Sequence, residues 1–175
     1  RAHGEPALLR TLADHAIARH CPAAREAENP YLALYAHVVA AQAELIADWL
    51  TIGFVHGVMN TDNMTISGES IDFGPCAFID GFDPDAVFSS IDTQGRYAFG
   101  NQAKIAQWNL ARFAEALLPL FADDDDVAIE LAGAELNRFA ELHRAAWLRR
   151  MAAKMGLKAD APQVPELADR TIAEL

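Results

Sequence analysis

The sequence predicts a mostly α-helical domain that carries one short β-hairpin. Its 175 residues are 52% hydrophobic and 22% charged, a balance typical of a folded globular chain. Three long stretches place apolar residues at the spacing of an amphipathic helix, whereas residues 64–72 alternate as short strands do. The length suits a single domain with a hydrophobic core of its own.

The first predicted helix extends from Glu5 to His20. We expect it to end there because Pro22 cannot continue a helix. Residues that recur at helical spacing form its apolar stripe, and they are Leu9, Leu12, Ala13, Ala16 and Ile17.

The second predicted helix has a sharply defined start. Asn29 is a good N-cap, and Pro30 is in the favoured first helical position. We expect this helix to extend to Trp49 or Leu50 and to lead the chain directly to His56. Its apolar stripe consists of Leu32, Tyr35, Val39, Ala43, Ile46 and Leu50.

A tight hairpin is predicted next, with residues 64–66 and 70–72 as its strands and the turn at residues 67–69. Such a hairpin would fold Asp72 back beside Asn63. Loops and short turns are expected through residues 75–95, because proline, glycine and aspartate punctuate that stretch.

The C-terminal half is predicted to contain three further helices, of which the first extends from Asn101 to Phe121. The second begins at four acids, residues 123–126, and carries basic residues toward its other end. Acids at a helix start complement the helix dipole, so we interpret them as stabilising the helix. The alternative is a Ca²⁺ site, for which the regular ligand spacing is absent. A linker from residue 158 leads to a short terminal helix at residues 166–175.

Composition and charge exclude several functional classes. The formal net charge of −11 argues against nucleic-acid binding, since a phosphate backbone would be repelled. No apolar run approaches the roughly 18 residues that span a bilayer. Cys21 and Cys76 are interpreted as structural thiols of a reducing compartment rather than as a disulfide or a metal site.

The motif with the most chemical content is HGVMNTDN, residues 56–63, followed by IDFG at residues 71–74. In kinase-like phosphotransferases the loop pattern is His-x-Asp-x-x-x-x-Asn, and a later Asp-Phe-Gly supplies a second metal ligand. Asn63 falls on the Asn position and Asp72 on the Asp of that second motif. The pattern therefore predicts that the two side chains bind Mg²⁺ on the phosphates of ATP.

One part of this motif is altered, because Val58 is found where the catalytic aspartate would be. A valine accepts no proton, so either the site is inactive or the nearest carboxylate, Asp62, acts as the base. His56 is interpreted as a loop residue that hydrogen-bonds to the backbone near Asp72, rather than as a base or a ligand. The alternative for Asp62, Asn63 and Asp72 is that they are ordinary turn residues.

The string HGVMNTDNM at residues 56–64, with residues 71–74, 95–97 and 107–110, resembles the selenoprotein O family of protein adenylyltransferases. That family is similar to kinases in fold, but it binds ATP in a flipped orientation and transfers AMP to protein hydroxyls. The resemblance extends from about residue 5 to residue 157. It implies that Asp62 is the proton acceptor, Asn63 a metal ligand, and Asp72 a ligand to both metal and nucleotide.

The resemblance also implies a fold, cofactors and partners. Residues 1–157 would form a mostly α, protein-kinase-like C-terminal lobe with a short β-hairpin carrying the metal site, and residues 158–175 a linker and short terminal helix. Mg²⁺, or Mn²⁺ in its place, would be the cofactor, ATP a substrate, and hydroxyl-bearing proteins the partners, with neither nucleic acid nor membrane among them. A cytoplasmic location is expected for a bacterial-type chain, and a mitochondrial one for eukaryotic relatives.

We expect the chain to be a fragment that is inactive alone. It begins without an initiator Met, and the family's glycine-rich loop, strand lysine with helix glutamate, and preceding arginines have no counterpart in it. Two other functions stay open: a small-molecule phosphotransferase of the aminoglycoside kinase type, and a non-catalytic nucleotide-binding pseudokinase. Arg96 and Tyr97 either touch substrate or nucleotide, or form local contacts, while Trp108 and Asn109 are expected to anchor the preceding loop.

Overall fold

The computed structural model describes residues 6–174, and this part of the chain is mostly helical, as predicted. Its α-helices are α1 (Pro6–His20), α2 (Pro30–Ile52), α3 (Gln102–Phe121), α4 (Asp125–Lys154) and α5 (Val164–Ala173). Short 3₁₀ turns lie at Pro22–Glu26, Thr61–Asn63 and Phe99–Asn101. Two short strands, β1 (Phe54–Val55) and β2 (Ala77–Phe78), pair antiparallel, with Phe54 opposite Phe78.

Helix α2 is the central helix, and it packs against α1, α3 and α4. Tyr35 shows why this position is stable: its side chain is fully buried, and its ring centroid lies 5.8 Å from that of Phe121. The Tyr35 hydroxyl donates a hydrogen bond to the carbonyl oxygen of Leu110 at 3.3 Å, so its polar end is also satisfied. The other buried residues of α2 are Leu34, Val38, Val39, Gln42, Ala43, Ile46, Ala47 and Trp49.

Both ends of α2 follow local rules. The Asn29 side-chain oxygen accepts a hydrogen bond from the backbone N–H of Leu32, which confirms the predicted N-cap. At the other end the helix continues to Ile52, two residues beyond the expected end, and stops at Gly53 in the left-handed conformation with φ of +74°. A β-carbon at Gly53 would lie 2.9 Å from the side chain of Ile79, so this stop requires glycine.

The predicted hairpin is reduced to a turn with one bridge, between Met64 and Ser70. The two-stranded sheet is instead formed by β1 and β2, so the hairpin strands were wrongly placed. Side chains of α2 explain the difference. Gln42 donates a hydrogen bond to the carbonyl oxygen of Thr65 at 2.5 Å, and the Trp49 indole N–H donates to the Ser70 hydroxyl at 2.9 Å. The first of these bonds occupies a backbone carbonyl of the turn, and the second attaches the side chain of Ser70 to α2.

The acidic start of α4 caps the helix, as predicted. The Asp124 side chain accepts hydrogen bonds from the backbone N–H groups of Asp126 and Val127, both at 3.0 Å. Toward the other end of α4, Arg150 and Arg149 pair with Glu44 of α2 at 2.8 and 2.5 Å. Basic residues of α4 therefore connect two helices rather than only complementing the dipole of their own.

Helix α5 begins two residues earlier than expected and packs against α4, with Val164 and Ala168 buried. The division of the chain at residues 157 and 158 stays a prediction. Both cysteines are free thiols, and Cys21 is buried. No helix within residues 6–174 combines the length and the apolar character needed to cross a membrane.

Candidate functional site

Two polar side chains of α3 hold the segment that leads into the predicted catalytic loop. Gln102 is fully buried; its side-chain oxygen accepts from the backbone N–H of His56 at 3.0 Å, and its amide donates to the carbonyl oxygen of Phe54 at 2.9 Å. Asn109, also buried, donates to the carbonyl oxygen of Met59 at 2.9 Å. These hydrogen bonds fix the backbone of residues 54–59 against the core.

His56 forms the hydrogen bond that the sequence predicted for it. The imidazole is fully buried, and its Nε2 lies 2.7 Å from the carbonyl oxygen of Ile71, the residue before Asp72. The ring also contacts Trp49, with 5.4 Å between ring centroids. A buried, packed imidazole that donates to a backbone carbonyl positions the Asp72 segment, which supports a structural role for His56.

Asn63 is buried in the 3₁₀ turn, and its side chain is held in one orientation. Its amide nitrogen donates to the carbonyl oxygen of Val58 at 3.0 Å. Within residues 6–174, the Asn63 side-chain oxygen accepts no hydrogen bond. The hydrogen bond to the Val58 carbonyl therefore orients the Asn63 side chain and leaves its oxygen without a hydrogen-bond partner among these residues, as a metal ligand requires.

Asp62 and Asp72 differ from Asn63 in being exposed. Neither carboxylate forms a hydrogen bond or an ion pair within the described residues. Asp72 has φ of +54°, and in the part of the chain that the structure describes it is the one non-glycine residue with positive φ. Aspartate tolerates this conformation better than most residues, but its occurrence at a predicted ligand position is typical of functional sites.

The loop brings the predicted metal ligands to one short segment. The His56 side chain hydrogen-bonds to the Ile71 carbonyl, and the Val58 carbonyl, two residues further on, accepts a hydrogen bond from the Asn63 side chain. Pro75 also approaches this segment closely, because a β-carbon at Gly57, which has φ of +85°, would lie 3.1 Å from the Pro75 carbonyl oxygen. The Asp72 segment and the Asn63 turn are thus both attached to residues 56–58.

The chemistry of these donors fits Mg²⁺. The cation prefers oxygen ligands and is usually held by one or two carboxylates, with phosphates and waters completing its octahedron. The Asn63 amide oxygen and the Asp72 carboxylate offer that kind of partial site. Residues 6–174 contain no cluster of three or more His, Cys, Asp or Glu placed to hold a metal by itself. The assignment of Asn63 and Asp72 as ligands stays a prediction.

Arg96 and Tyr97 lie beside the same loop. The Tyr97 hydroxyl donates to the Asn60 side-chain oxygen at 2.6 Å, and the Asp92 carboxylate accepts from the backbone N–H groups of both residues at 2.8 Å. The Arg96 guanidinium lies 4.7 Å from the ring centroid of Trp108. Trp108 therefore contacts the preceding loop, as predicted, whereas the side chain of its neighbour Asn109 hydrogen-bonds to Met59.

Sequence reasoning missed Gln42 and Gln102, and it assigned Asn109 to the loop before α3 rather than to the loop that contains Met59. Each is a polar residue on the buried face of a helix, and each donates to a loop carbonyl. A buried amide requires hydrogen-bond partners, so a Gln or Asn within an apolar stripe is the signal that would have found them.

Comparisons with known proteins identify the family of the chain. The family model described as protein adenylyltransferase SelO matches residues 1–175. A protein nucleotidyltransferase YdiU of Mycolicibacterium paratuberculosis is 61% identical over 176 residues, covering 99% of this chain and 36% of the relative. A protein of that name from Pseudarthrobacter chlorophenolicus is 63% identical over 156 residues, covering 89% of this chain and 32% of the relative. One from Rhodopseudomonas palustris is 56% identical over 174 residues, covering 99% of this chain and 35% of the relative. The chain thus spans about a third of these relatives' length, and it belongs to the SelO family.

Proposed function

We propose that the protein containing this chain is a protein adenylyltransferase, which transfers AMP from ATP to Ser, Thr or Tyr hydroxyls of other proteins. The matching family is described as protein adenylyltransferase SelO, and the relatives are named as protein nucleotidyltransferases. In this proposal residues 1–157 belong to a kinase-like lobe. The chain supplies Asp62 as proton acceptor, Asn63 as metal ligand, and Asp72 as ligand to metal and nucleotide.

The observation that carries the proposal is the different use of positions 58 and 62. Position 58, where a kinase has its catalytic aspartate, is a valine, and its side chain accepts no proton. Its backbone carbonyl oxygen, which any residue would supply, accepts a hydrogen bond from Asn63. Asp62 carries the only carboxylate of residues 56–64, and it is exposed, with no protein partner in the described residues. A loop with a free carboxylate at a new position suits a proton acceptor for a reaction other than γ-phosphoryl transfer.

The proposed chemistry assigns one task to each residue. Asp62 accepts the proton of the attacking hydroxyl, and the hydroxyl oxygen forms a bond to the α-phosphorus of ATP. The bond from that phosphorus to the bridging oxygen breaks, and pyrophosphate leaves with the electron pair. Asn63 and Asp72 would hold Mg²⁺, and the ion would supply neutralisation of part of the phosphate charge.

The charge of the chain indicates what else the reaction needs. With a net charge of −11, the chain repels ATP unless a divalent cation and additional basic groups are present. We expect the basic groups to come from the parts of the longer relatives that this chain does not match. The isolated chain is accordingly expected to be inactive, and a cytoplasmic location, where ATP is abundant, is part of the proposal.

The test uses a full-length protein, meaning one of the relatives' length that carries this chain. It is incubated with Mg²⁺ and with ATP labelled separately at the α- and γ-phosphate, and the label that becomes attached to protein is followed. Transfer of the α label that is lost in Asp72→Ala is the expected result. Transfer of the γ label would favour a phosphotransferase, and transfer of neither label, with ATP still bound, would favour a non-catalytic pseudokinase.

A further inference from the structure

We propose that Arg96, Lys104, Trp108 and Arg112 form a docking surface, called the basic surface below, for an acidic segment of the protein whose hydroxyl is modified. This inference rests on the proposed function, because it names the substrate class of the same site. The occupant is an extended peptide segment with Asp or Glu side chains near the acceptor hydroxyl.

The geometry of the basic surface is set by one tryptophan. Trp108 is 44% exposed, and guanidinium groups lie over its ring from two residues, Arg96 at 4.7 Å and Arg112 at 5.4 Å from the centroid. Lys104, Trp108 and Arg112 are spaced four residues apart on α3, so they share one face of the helix. Stacking on the indole limits the freedom of both guanidinium groups. It leaves the side-chain N–H donors of Arg96 available to a carboxylate, whereas Arg112 already shares part of its guanidinium with Glu115.

The basic surface borders the loop that carries the proposed proton acceptor. Tyr97, adjacent to Arg96, donates a hydrogen bond to Asn60, two residues before Asp62. Arg112 and Thr61, the residue directly before Asp62, line the same cavity of about 290 Å³. A segment bound to the basic surface is therefore held close to the residue that would accept the proton of its hydroxyl.

The cations of the basic surface differ from those of α4 in how they are paired. The chain has 25 acidic and 14 basic residues, and the arginines of α4 at positions 144, 149 and 150 pair with acids of other helices. Arg96 and Lys104 form no ion pair within residues 6–174, and Arg112 pairs at 2.5 Å with Glu115 on its own helix. An acidic peptide fits this local excess of positive charge, whereas a nucleic acid would meet the repulsion of the whole acidic chain.

The test compares two acceptor peptides that differ only in three residues on each side of the hydroxyl, which are Glu in one and Gln in the other. With the full-length protein, Mg²⁺ and α-labelled ATP, we expect kcat/KM for the Glu peptide to be roughly fivefold or more higher, as a few exposed ion pairs predict. The double variant Arg96→Gln/Arg112→Gln should remove this preference by raising KM while kcat is unchanged. Arg112→Lys, which keeps the charge, should retain most of it.

A matched control makes the same charge change elsewhere. Arg19→Gln/Arg25→Gln removes two exposed arginines outside the basic surface and should leave the preference for the Glu peptide intact. If both double variants lower the preference equally, the effect comes from net charge and the docking surface is disproved. All four substituted arginines, two in the basic surface and two in the control, are exposed, so circular dichroism and thermal melting should show that both double variants are folded. If the Arg96→Gln/Arg112→Gln variant does not fold, Arg96→Gln alone is used.

Direct binding separates this inference from the proposed function. The fluorescence anisotropy of a labelled Glu peptide is measured against full-length protein without ATP, so no transfer is needed. Binding that the Arg96→Gln/Arg112→Gln variant loses supports the surface even if no AMP transfer is found. Absence of binding, or equal binding of the Gln peptide, overturns the inference while leaving adenylylation intact. Displacement by an equal concentration of oligothymidylate would overturn it in favour of a nucleic-acid surface.

Discussion

The loop of residues 54–64 and the segment of residues 67–95 each carry one proposed metal ligand, and they are held in different ways. Side chains from α3 hydrogen-bond to the backbone of the loop, and Asn63 is itself buried. The second segment consists mostly of turns, and it exposes large apolar side chains such as Phe73 at 58% and Ile91 at 82%. The core therefore fixes one proposed ligand, whereas the other depends on a few contacts with the loop.

The largest effect is expected at Asp72, the proposed ligand on the segment of residues 67–95, which the core supports less. Asp72→Ala in the full-length protein should abolish Mg²⁺-dependent ATP binding, because the carboxylate that would hold metal and nucleotide is removed. Isothermal titration with MgATP measures this, and Asp80→Ala, another exposed aspartate of the same segment, is the control. Unchanged MgATP affinity in Asp72→Ala would contradict the assigned role.

A smaller effect is expected from the free carboxylate of the loop. Asp62→Ala should slow AMP transfer by about 10²–10⁴-fold, the usual contribution of a general base, while ATP binding stays nearly unchanged. Single-turnover kinetics with α-labelled ATP separates the two quantities. If Asp62→Ala loses ATP binding and Asp72→Ala loses only the transfer step, the two roles are reversed.

The support of the loop by α3 can be broken at Gln102. Gln102→Leu removes both of its hydrogen bonds and leaves the His56 N–H and the Phe54 carbonyl without partners. We expect the free energy of unfolding to fall by about 2–4 kcal/mol, since each buried unpaired group costs roughly 1–3 kcal/mol. Urea unfolding measures the loss. Gln107→Leu, the same change at a half-buried position of α3, should alter stability by about 0.5 kcal/mol or less.

The connection between the two regions depends on His56. His56→Leu fills the buried position with an apolar side chain and removes the donor to the Ile71 carbonyl. We expect a loss of about 1–3 kcal/mol in unfolding free energy and weaker MgATP binding, because Asp72 directly follows Ile71. Stability unchanged together with a large fall in kcat would instead indicate a chemical role for the imidazole.

The smallest effect is expected at the ion pairs between α2 and α4, which stabilise the frame of both regions. Burial raises the pKa of Glu44, but hydrogen bonds from Arg150 and Arg149 lower it more, so the net pKa lies below its ordinary value of 4.5. A carboxyl with a lowered folded-state pKa contributes stability above that ordinary value and loses it as the pH falls through the folded-state pKa. Arg150→Gln should cost about 0.2–1 kcal/mol at pH 7 and less at pH 3, measured by urea unfolding at both pH values.

Patterns that depend on neighbouring residues predicted the fold well. Asn29 and Pro30 marked the start of α2, and Pro22 was close to the end of α1, because caps and prolines act within one turn of their position. The hairpin failed for the opposite reason. Hydrogen bonds from Gln42 and Trp49, more than twenty residues earlier in the chain, attach this turn to α2, and the local alternation does not indicate them.

The candidate site was only partly predictable for the same physical reason. The motif identified Asp62, Asn63 and Asp72 by residue type and spacing. It gave no indication that Gln102 and Asn109 hold the loop from 46 and 50 residues away. A partner at that distance follows from the packing of α3 beside α2, and periodicity alone does not determine how two helices pack.

Hydrogen bonds from α2 and α3 to the carbonyls of residues 54–65 have a consequence for genetic screens. In the proposed adenylyltransferase, we expect substitutions that shift α2 or α3 by a fraction of an ångström to move the carbonyls that accept from Gln42, Gln102 and Asn109. Such substitutions should lower turnover before they lower the amount of protein. In a survey scored by activity alone, such positions would be counted as catalytic. Measuring cellular abundance and nucleotide affinity for every variant would separate residues that react from residues that keep the loop in place.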